Sequence, residues 1–317
     1  MDALPAGPFH VGELIAHDLA GTGTPGAVGI RPFMPDQHRE FFGLLPYLFV
    51  ATVDAEGWPV ATVLTGPPGF VQSPDPVTLT VAARPRAEEP GAQLFAGGRP
   101  FGALGLDLAT RRRNRANGLI TAAGEGGLTL RVLQSFGNCP QYIQTRAVET
   151  APASTVSAEA IAFPTPEALA QIAKADTMFV ATNASLEGVG GENGGVDISH
   201  RGGLPGFVKV EGDVLTIPDF RGNRFFNTLG NLVLDPRAAL LFVDFETGDV
   251  LHLQGRAEID WQAPAGGWPE GVQRQWRLKA ERAWRRPAAL PLRWTFGDYS
   301  PVTLSTAAWN SAPAKVA

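Results

Sequence analysis

Short apolar runs punctuated by Gly, Pro, Asn and Asp recur along most of the chain. Leu48–Val53 (LFVATV), Val60–Leu64 (VATVL) and Val77–Ala83 (VTLTVAA) lie in the first half. Met178–Thr182 (MFVAT), Phe207–Val210, Val214–Ile217, Ala238–Phe245 (AALLFVDF) and Val250–Ile259 (VLHLQGRAEI) follow in the second. Runs this short, rich in Val, Thr, Leu and Phe, predict strands, and their close spacing with few long helices predicts an antiparallel barrel or sandwich. Helices are predicted over Pro35–Leu45 and Pro166–Ala175, each just before an apolar run. A further helix, serving for docking or as a lid, is predicted over Val272–Arg286, where Trp276 and Trp284 stand among many Arg.

The runs also repeat. LFVAT at 48–52 returns as MFVAT at 178–182, and PGFV at 68–71 returns at 205–208. Ala103-Leu104-Gly105 against Thr228-Leu229-Gly230 gives a weaker third echo, with a Gly-rich insertion near Leu186–Gly195 in the second copy. Self-similarity of this kind predicts two copies of one module, packed as a pseudo-dimer within one chain. The expected boundaries are an N-terminal extension over 1–30, a first repeat over 31–150, a second over 158–260 and a C-terminal extension over 261–317. Ala151–Ser157 (APASTVS) reads as the linker.

Composition narrows the class. With 44% hydrophobic and 18% charged residues in a chain of 317, a folded globular core is expected. A formal charge of -5 argues against bulk nucleic-acid binding. Cys139 is the one cysteine, so no disulfide can form within a chain and no Cys-based metal cluster is expected; no metal is expected at all. The first residues lack a basic, apolar leader, and no stretch reaches the length of a membrane span, so the expected location is the cytoplasm, away from membranes.

Few motifs carry chemistry. Gly21-Thr22-Gly23-Thr24-Pro25-Gly26 has the letters of a dinucleotide fingerprint without the strand before it or the helix after it, and reads as a loop. Arg111-Arg112-Arg113-Asn114-Arg115 is the densest positive cluster; short and free of interleaved aromatics, it suits a small phosphorylated ligand or a salt-bridged surface better than nucleic acid. The second copy holds polar donors where the first is apolar: Asp197-Ile198-Ser199-His200-Arg201-Gly202-Gly203 stands against Ala61–Pro68, with Thr65 in the matching place. Downstream, Pro218-Asp219-Phe220-Arg221-Gly222-Asn223-Arg224, followed by Asn227 and Asn231, adds more donors at an expected strand-to-helix junction. Free helix N–H groups and Arg forks there suit an anion.

These residues together resemble the pyridoxamine 5'-phosphate oxidase-like, FMN-binding split-barrel family, and in particular its two-repeat bacterial flavin-nucleotide-binding members. The resemblance rests on DISHRGGLPGFV, on IPDFRGNRFFNTLGNLVLDPRAALLFVDF followed by LQGRAEI, on TRRRNRANG, and on SFGNCPQYIQ at 135–144; it spans about residues 30–300. It implies a mainly β fold with flanking helices, made of two tandem split β-barrels, and FMN as cofactor. The flavin phosphate would lie between Ser199, His200, Arg201 and Gly203 on one side and Asn223 and Arg224 on the other. Pro218 and Asp219 would flank the ribityl chain, Asn227 and Asn231 would give polar contacts, and Arg113, Cys139 and Tyr142 would approach the ring or substrate. The implied activity is a flavin-dependent oxidoreduction of a small organic substrate, served by the substrate, a nicotinamide or a separate reductase. The alternatives are a non-catalytic flavin carrier or sensor, or a split barrel using deazaflavin or haem. A homodimer is a further expectation. PLRWTFGDYSPVT at 291–303 lacks the Arg-x-His substrate motif of the vitamin B6 enzyme, so pyridoxal phosphate synthesis is not expected.

Overall fold

A computed structural model describes residues 7–24, 26, 29–184, 193–306, 308 and 309. Most of the Gly-rich insertion, 185–192, and Pro25 of the GTGTPG stretch lie outside the described residues.

In chain order the first half comprises α1 (Val11–Leu19), α2 (Asp36–Leu44), β1 (Tyr47–Val53), β2 (Pro59–Thr65), β3 (Val71–Asp75), β4 (Thr78–Val81), β5 (Pro100–Asp107), β6 (Arg112–Gly124), β7 (Gly127–Gly137) and β8 (Arg146–Thr150). The second comprises β9 (Glu159–Ala160), α3 (Pro166–Lys174), β10 (Thr177–Asn183), β11 (Val196–Gly202), β12 (Lys209–Glu211), β13 (Val214–Phe220), α4 (Asn227–Leu234), β14 (Arg237–Val243), β15 (Val250–Asp260), β16 (Val272–Arg286), β17 (Leu292–Phe296) and α5 (Pro301–Leu304). The architecture is mainly β with flanking helices: two large antiparallel sheets in tandem.

The first sheet runs β2-β1-β5-β6-β7-β4-β3 and the second β11-β10-β14-β15-β16-β13-β12, which is the same order strand for strand. Each sheet also breaks register at a glycine in the same rung. The bulges fall at Gly118 in β6 and Gly255 in β15. A Cβ there would come 1.9 Å from Arg131 O or 2.1 Å from Lys279 O, so the backbone crossing admits no side chain at either place.

The burial pattern explains why β1 and β10 read as unbroken apolar runs. Both are buried at every residue. Leu48 and Val50 face the core of the first half, Met178 and Val180 that of the second, while Phe49, Ala51, Phe179 and Ala181 turn the other way into a third core shared by both. There the Phe49 and Phe179 rings stack at 3.6 Å with 20° between their planes. Period-two side-chain alternation thus feeds two cores from one strand.

Three expectations need correction. Val272–Arg286 is a strand, not a docking or lid helix: β16 pairs with β15 on one side and β13 on the other. Its Gln, Arg, Leu, Lys and Ala favour helix intrinsically, but Arg274, Trp276 and Leu278 are buried at period two while Gln273, Arg277 and Lys279 are exposed. The second sheet therefore runs past residue 260, and β17 closes back on β8. The third echo fails as well, since Ala103–Gly105 lies in β5 and Thr228–Gly230 in α4. Among the described residues no helix is long and apolar enough to cross a membrane.

The N-terminal segment contains a helix that was not foreseen. His10 caps α1 by accepting the Gly12 N–H at Nδ1 (3.1 Å), and Glu13 Oε2 accepts the His10 N–H (3.0 Å). Helix α1 crosses α4 at two glycines: a Cβ on Gly12 would lie 2.3 Å from Gly230 O, and one on Gly230 would lie 2.7 Å from the Glu13 Cα. Only glycine permits this approach, which brings Glu13 beside the start of α4.

Phe179→Ala is expected to lower unfolding free energy by about 3–5 kcal/mol, because it empties the centre of the shared core. Leu304→Ala, at a side chain 63% exposed, should change it by less than about 0.5 kcal/mol. Urea denaturation followed by circular dichroism checks both.

Candidate functional site

A cleft of about 820 Å³, open to solvent, lies where β6 of the first sheet meets β11, β13 and the start of α4 in the second. Its lining includes five guanidinium side chains, Arg113, Arg115, Arg201, Arg224 and Arg274, and one carboxylate, Asp219. A second carboxylate, Asp197, stands behind Arg115 at 2.8 Å.

The floor is a closed network of hydrogen bonds. Ser199 Oγ donates to Asp197 Oδ2 (3.0 Å) and accepts from Arg115 Nη2 (2.5 Å) and Thr228 Oγ1 (2.9 Å). That is the full capacity of a hydroxyl. Arg115 Nη1 reaches both Asp197 Oδ1 and, at 3.0 Å, Asn227 Oδ1, and Asn117 Nδ2 adds a bond to Asp197 Oδ1 (3.2 Å). Arg115 is thus a first-half residue buried in the second half's site. On the adjoining wall Asp219 takes Arg201 Nη1 (2.5 Å) on one oxygen and Arg274 Nη1 (2.8 Å) on the other.

Arg113 has no such partner. Among the described residues it makes no ion pair, and its side-chain bond is the 3.2 Å contact from Nη1 to His200 Nδ1. Desolvation, followed by the charges of Arg115 and Arg201, pushes its guanidinium down to about 9, which still leaves it protonated at neutral pH. His200 is driven well below its ordinary value, first by burial and then by Arg113, so the imidazole is neutral and accepts that bond.

The rim is formed by the turn from β13 into α4. Arg224 (φ 61°) and Phe226 (φ 58°) are both in the left-handed region, which non-glycine residues seldom occupy. Asn223 Oδ1 accepts the Phe225 N–H (3.1 Å), and Asn223 Nδ2 donates to Asn138 Oδ1 (2.8 Å), tying the turn to the first half. Helix α4 has no side-chain N-cap, and its first intrahelical bond here is Gly230 N–H to Phe226 O (2.6 Å). The amide ends of Asn227, Thr228 and Leu229, all lining the cleft, precede it. Opposite, Tyr142 (φ 63°) stacks on Phe220 at 5.2 Å and donates to Arg221 O (3.0 Å).

The cleft brings together Ser199, His200, Arg201, Pro218, Asp219, Asn223, Arg224, Asn227, Arg113 and Tyr142 from the sequence expectation. Gly203, Asn231 and Cys139 lie elsewhere. Gly203 makes a tight turn, where a Cβ would meet the Phe207 Cβ at 2.5 Å. Cys139 is half-buried and is flanked by Asn138, which does line the cleft. Asn231 belongs to a neighbouring cleft of about 590 Å³ with His10, Glu13, Asn117 and Asp197. There His10, its Nδ1 already accepting, donates from Nε2 to Asn231 Oδ1 (2.8 Å), and Asn231 Nδ2 donates to Thr182 Oγ1 (3.0 Å). Sequence reasoning named Arg115 and Asp197 only as members of the Arg111–Arg115 and DISHR runs, gave neither a role of its own, and did not single out Thr228 or Arg274. For the first two the signal was alternation, since Arg113 and Arg115 share one strand face, as do Asp197, Ser199 and Arg201.

No family model and no curated protein matches the chain. Solved structures similar to it include HupZ of Group A Streptococcus, 17% identical with a TM-score of 0.30 over 40% of this chain and 98% of HupZ. A second is a Clostridium acetobutylicum protein of the pyridoxinephosphate oxidase family, related to general stress protein 26 of B. subtilis. It is 17% identical with a TM-score of 0.29 over 42% of this chain and 92% of its own.

Glu13 links the two clefts, because its Oε1 accepts from Asn227 Nδ2 (2.6 Å). Burial pushes its carboxyl up to about 8, outweighing the bonds from His10 and Asn227 that favour the ionised form. A carboxyl whose folded pKa lies above its unfolded value, near 4.5, gives its full stabilisation at low pH and loses it as pH rises toward 8. His10, pushed down to about 4 chiefly by burial, acts only below its unfolded value near 6.5. Between pH 6.5 and 8, stability should therefore fall by up to ~1.4 kcal/mol per pH unit. Glu13→Gln should flatten that slope in melting curves recorded across the window.

Proposed function

We propose that the protein binds FMN in the cleft between its two halves and acts as a flavin-dependent oxidoreductase on a small organic substrate. The observation that carries this reading is the charge balance of the cleft: five guanidiniums meet two carboxylates, with the uncapped N-terminus of α4 adding to the positive side. Such a surplus, partly withdrawn from water, favours an anion of more than one charge. The resemblance of the motifs to flavin-binding split barrels selects a flavin phosphate among such anions.

In this reading Arg224 and the first amides of α4 take the phosphate, because Ser199 is already saturated and Arg201 is held by Asp219. The role of Ser199 is then to position Arg115 beneath the ligand. Asn223 fixes the phosphate turn against Asn138. Tyr142 and Arg113, which also line the cleft, would approach the ring and substrate. When bound, the flavin supplies the redox chemistry, and the chain supplies orientation, shielding from water and hydrogen bonds. Electrons would come from the substrate, a nicotinamide or a separate reductase.

The test is an absorbance spectrum of the protein after FMN is added and the excess removed, compared with Arg224→Ala. Arg224 is exposed and its side chain makes no bond among the described residues, so the variant should remain folded and bind FMN at least about tenfold more weakly, the loss of a charge-assisted contact. Equal retention by both proteins would overturn the phosphate assignment. Bound flavin that no reductant bleaches would mark a carrier or sensor instead of an oxidoreductase.

A further inference from the structure

The shared strand order gives each residue of the cleft a counterpart in the other half, fixed by ladder register. Val50 pairs with Thr62 as Val180 pairs with Ser199, so Thr62, not Thr65, occupies the place of Ser199. Leu104 pairs with Arg115 as Leu241 pairs with His252, so His252 replaces Arg115. Arg286 lies opposite Val250 as Asn138 lies opposite Arg113. A cleft of about 740 Å³ opens next to this place, lined by Val60, Ala61, Gly91, His252, Gln254 and Trp284 among others, but Thr62, Glu89 and Arg286 lie outside its lining.

The two places differ in what meets the hydroxyl. In the second half Ser199 meets Asp197, Arg115 and Thr228, and the β13–α4 turn beside them offers Arg224 and a helix N-terminus. In the first half the corresponding connection, between β4 and β5, offers Glu89. Thr62 donates to Glu89 Oε2 in a short contact, and the same oxygen lies 3.1 Å from Arg286 Nη1, with both charged side chains no more than 5% exposed. Glu89 Oε1 accepts the Arg86 N–H (3.1 Å). A carboxylate from the chain thus pairs with the Arg286 Nη1 end and accepts from a hydroxyl at the ladder place of Ser199, while the Arg286 Nε has no partner among the described residues.

We propose that Thr62, at the ladder place of Ser199, and Arg286 form a buried anion site, which the Glu89 carboxylate fills from within the chain, so that the protein takes one phosphate-bearing ligand and not two. The count of ligands rests on the flavin reading above. The filled site does not.

Glu89→Ala vacates a space shaped for a small carboxylate. The variant should melt below the wild type, and sodium acetate, but not sodium chloride at equal ionic strength, should restore at least half of the loss while leaving the wild type unmoved. Acetate and chloride acting alike would overturn the proposal. Should Glu89→Ala fail to fold, Glu89→Gln keeps an acceptor for Thr62 and leaves Arg286 unpaired. Adding Arg286→Met should then raise the melting temperature of Glu89→Gln, and a further fall would count against the proposal. In a titration of the wild type, one FMN per chain is expected, and two would overturn the proposal. No FMN binding would overturn the flavin reading alone, with the acetate experiment still deciding the filled site.

Discussion

Phe49 lying flat on Phe179 is the contact around which the molecule is arranged. Each ring belongs to a strand buried on both faces, so the chain cannot slide one half past the other without exposing a core. A register slip of one residue in β1 or β10 would exchange every inward side chain for an outward one. That rigidity permits the cleft: Arg115 can be held at 2.5–3.0 Å from residues of the opposite half because the strands behind it are fixed.

The second constraint is charge. Guanidiniums withdrawn from water require partners, and the structure meets this requirement differently in its two halves. Near Thr62 the answer is a carboxylate from the chain itself. Near Ser199 the carboxylates hold Arg115, Arg201 and Arg274 in place and leave Arg113 and Arg224 uncompensated. The same ladder position is thus filled by a carboxylate of the chain in one half and by a closed network of Asp197, Arg115 and Thr228 in the other, with Arg113 and Arg224 beside it. The glycines at 12 and 230 extend the difference, since they let a neutral Glu13 close the back of the second site without adding a negative charge there.

Much of this was legible before any coordinates. The doubly buried strands announced themselves as LFVAT and MFVAT because no face of them needs polar residues. The DISHR run stood out because polar groups at strand positions require a partner, and the GNR run because its donors fall at a turn into a helix. Strand β16 was opaque for the opposite reason: its residues favour helix individually, and only the pairing of both edges makes it a strand. Helix α1 was hidden among Gly and Pro, although His10 and Glu13 have the spacing of a capping box. Gly203, Asn231 and Cys139 are not among the residues lining the cleft: Gly203 sits in a tight turn, Asn231 on the α4 face toward the neighbouring cleft, and Cys139 next to the lining residue Asn138.

Arg115 also makes the two sheets of like strand order unequal. A first-half side chain completes the second half's site, whereas in the reciprocal place His252 stands for Arg115 and Glu89 has closed the opening. The two halves have become unequal partners, one a donor and the other a host. A substitution at Arg115 in β6 is thus felt in the hydrogen-bond network of the opposite half, at Asp197, Asn227 and Ser199.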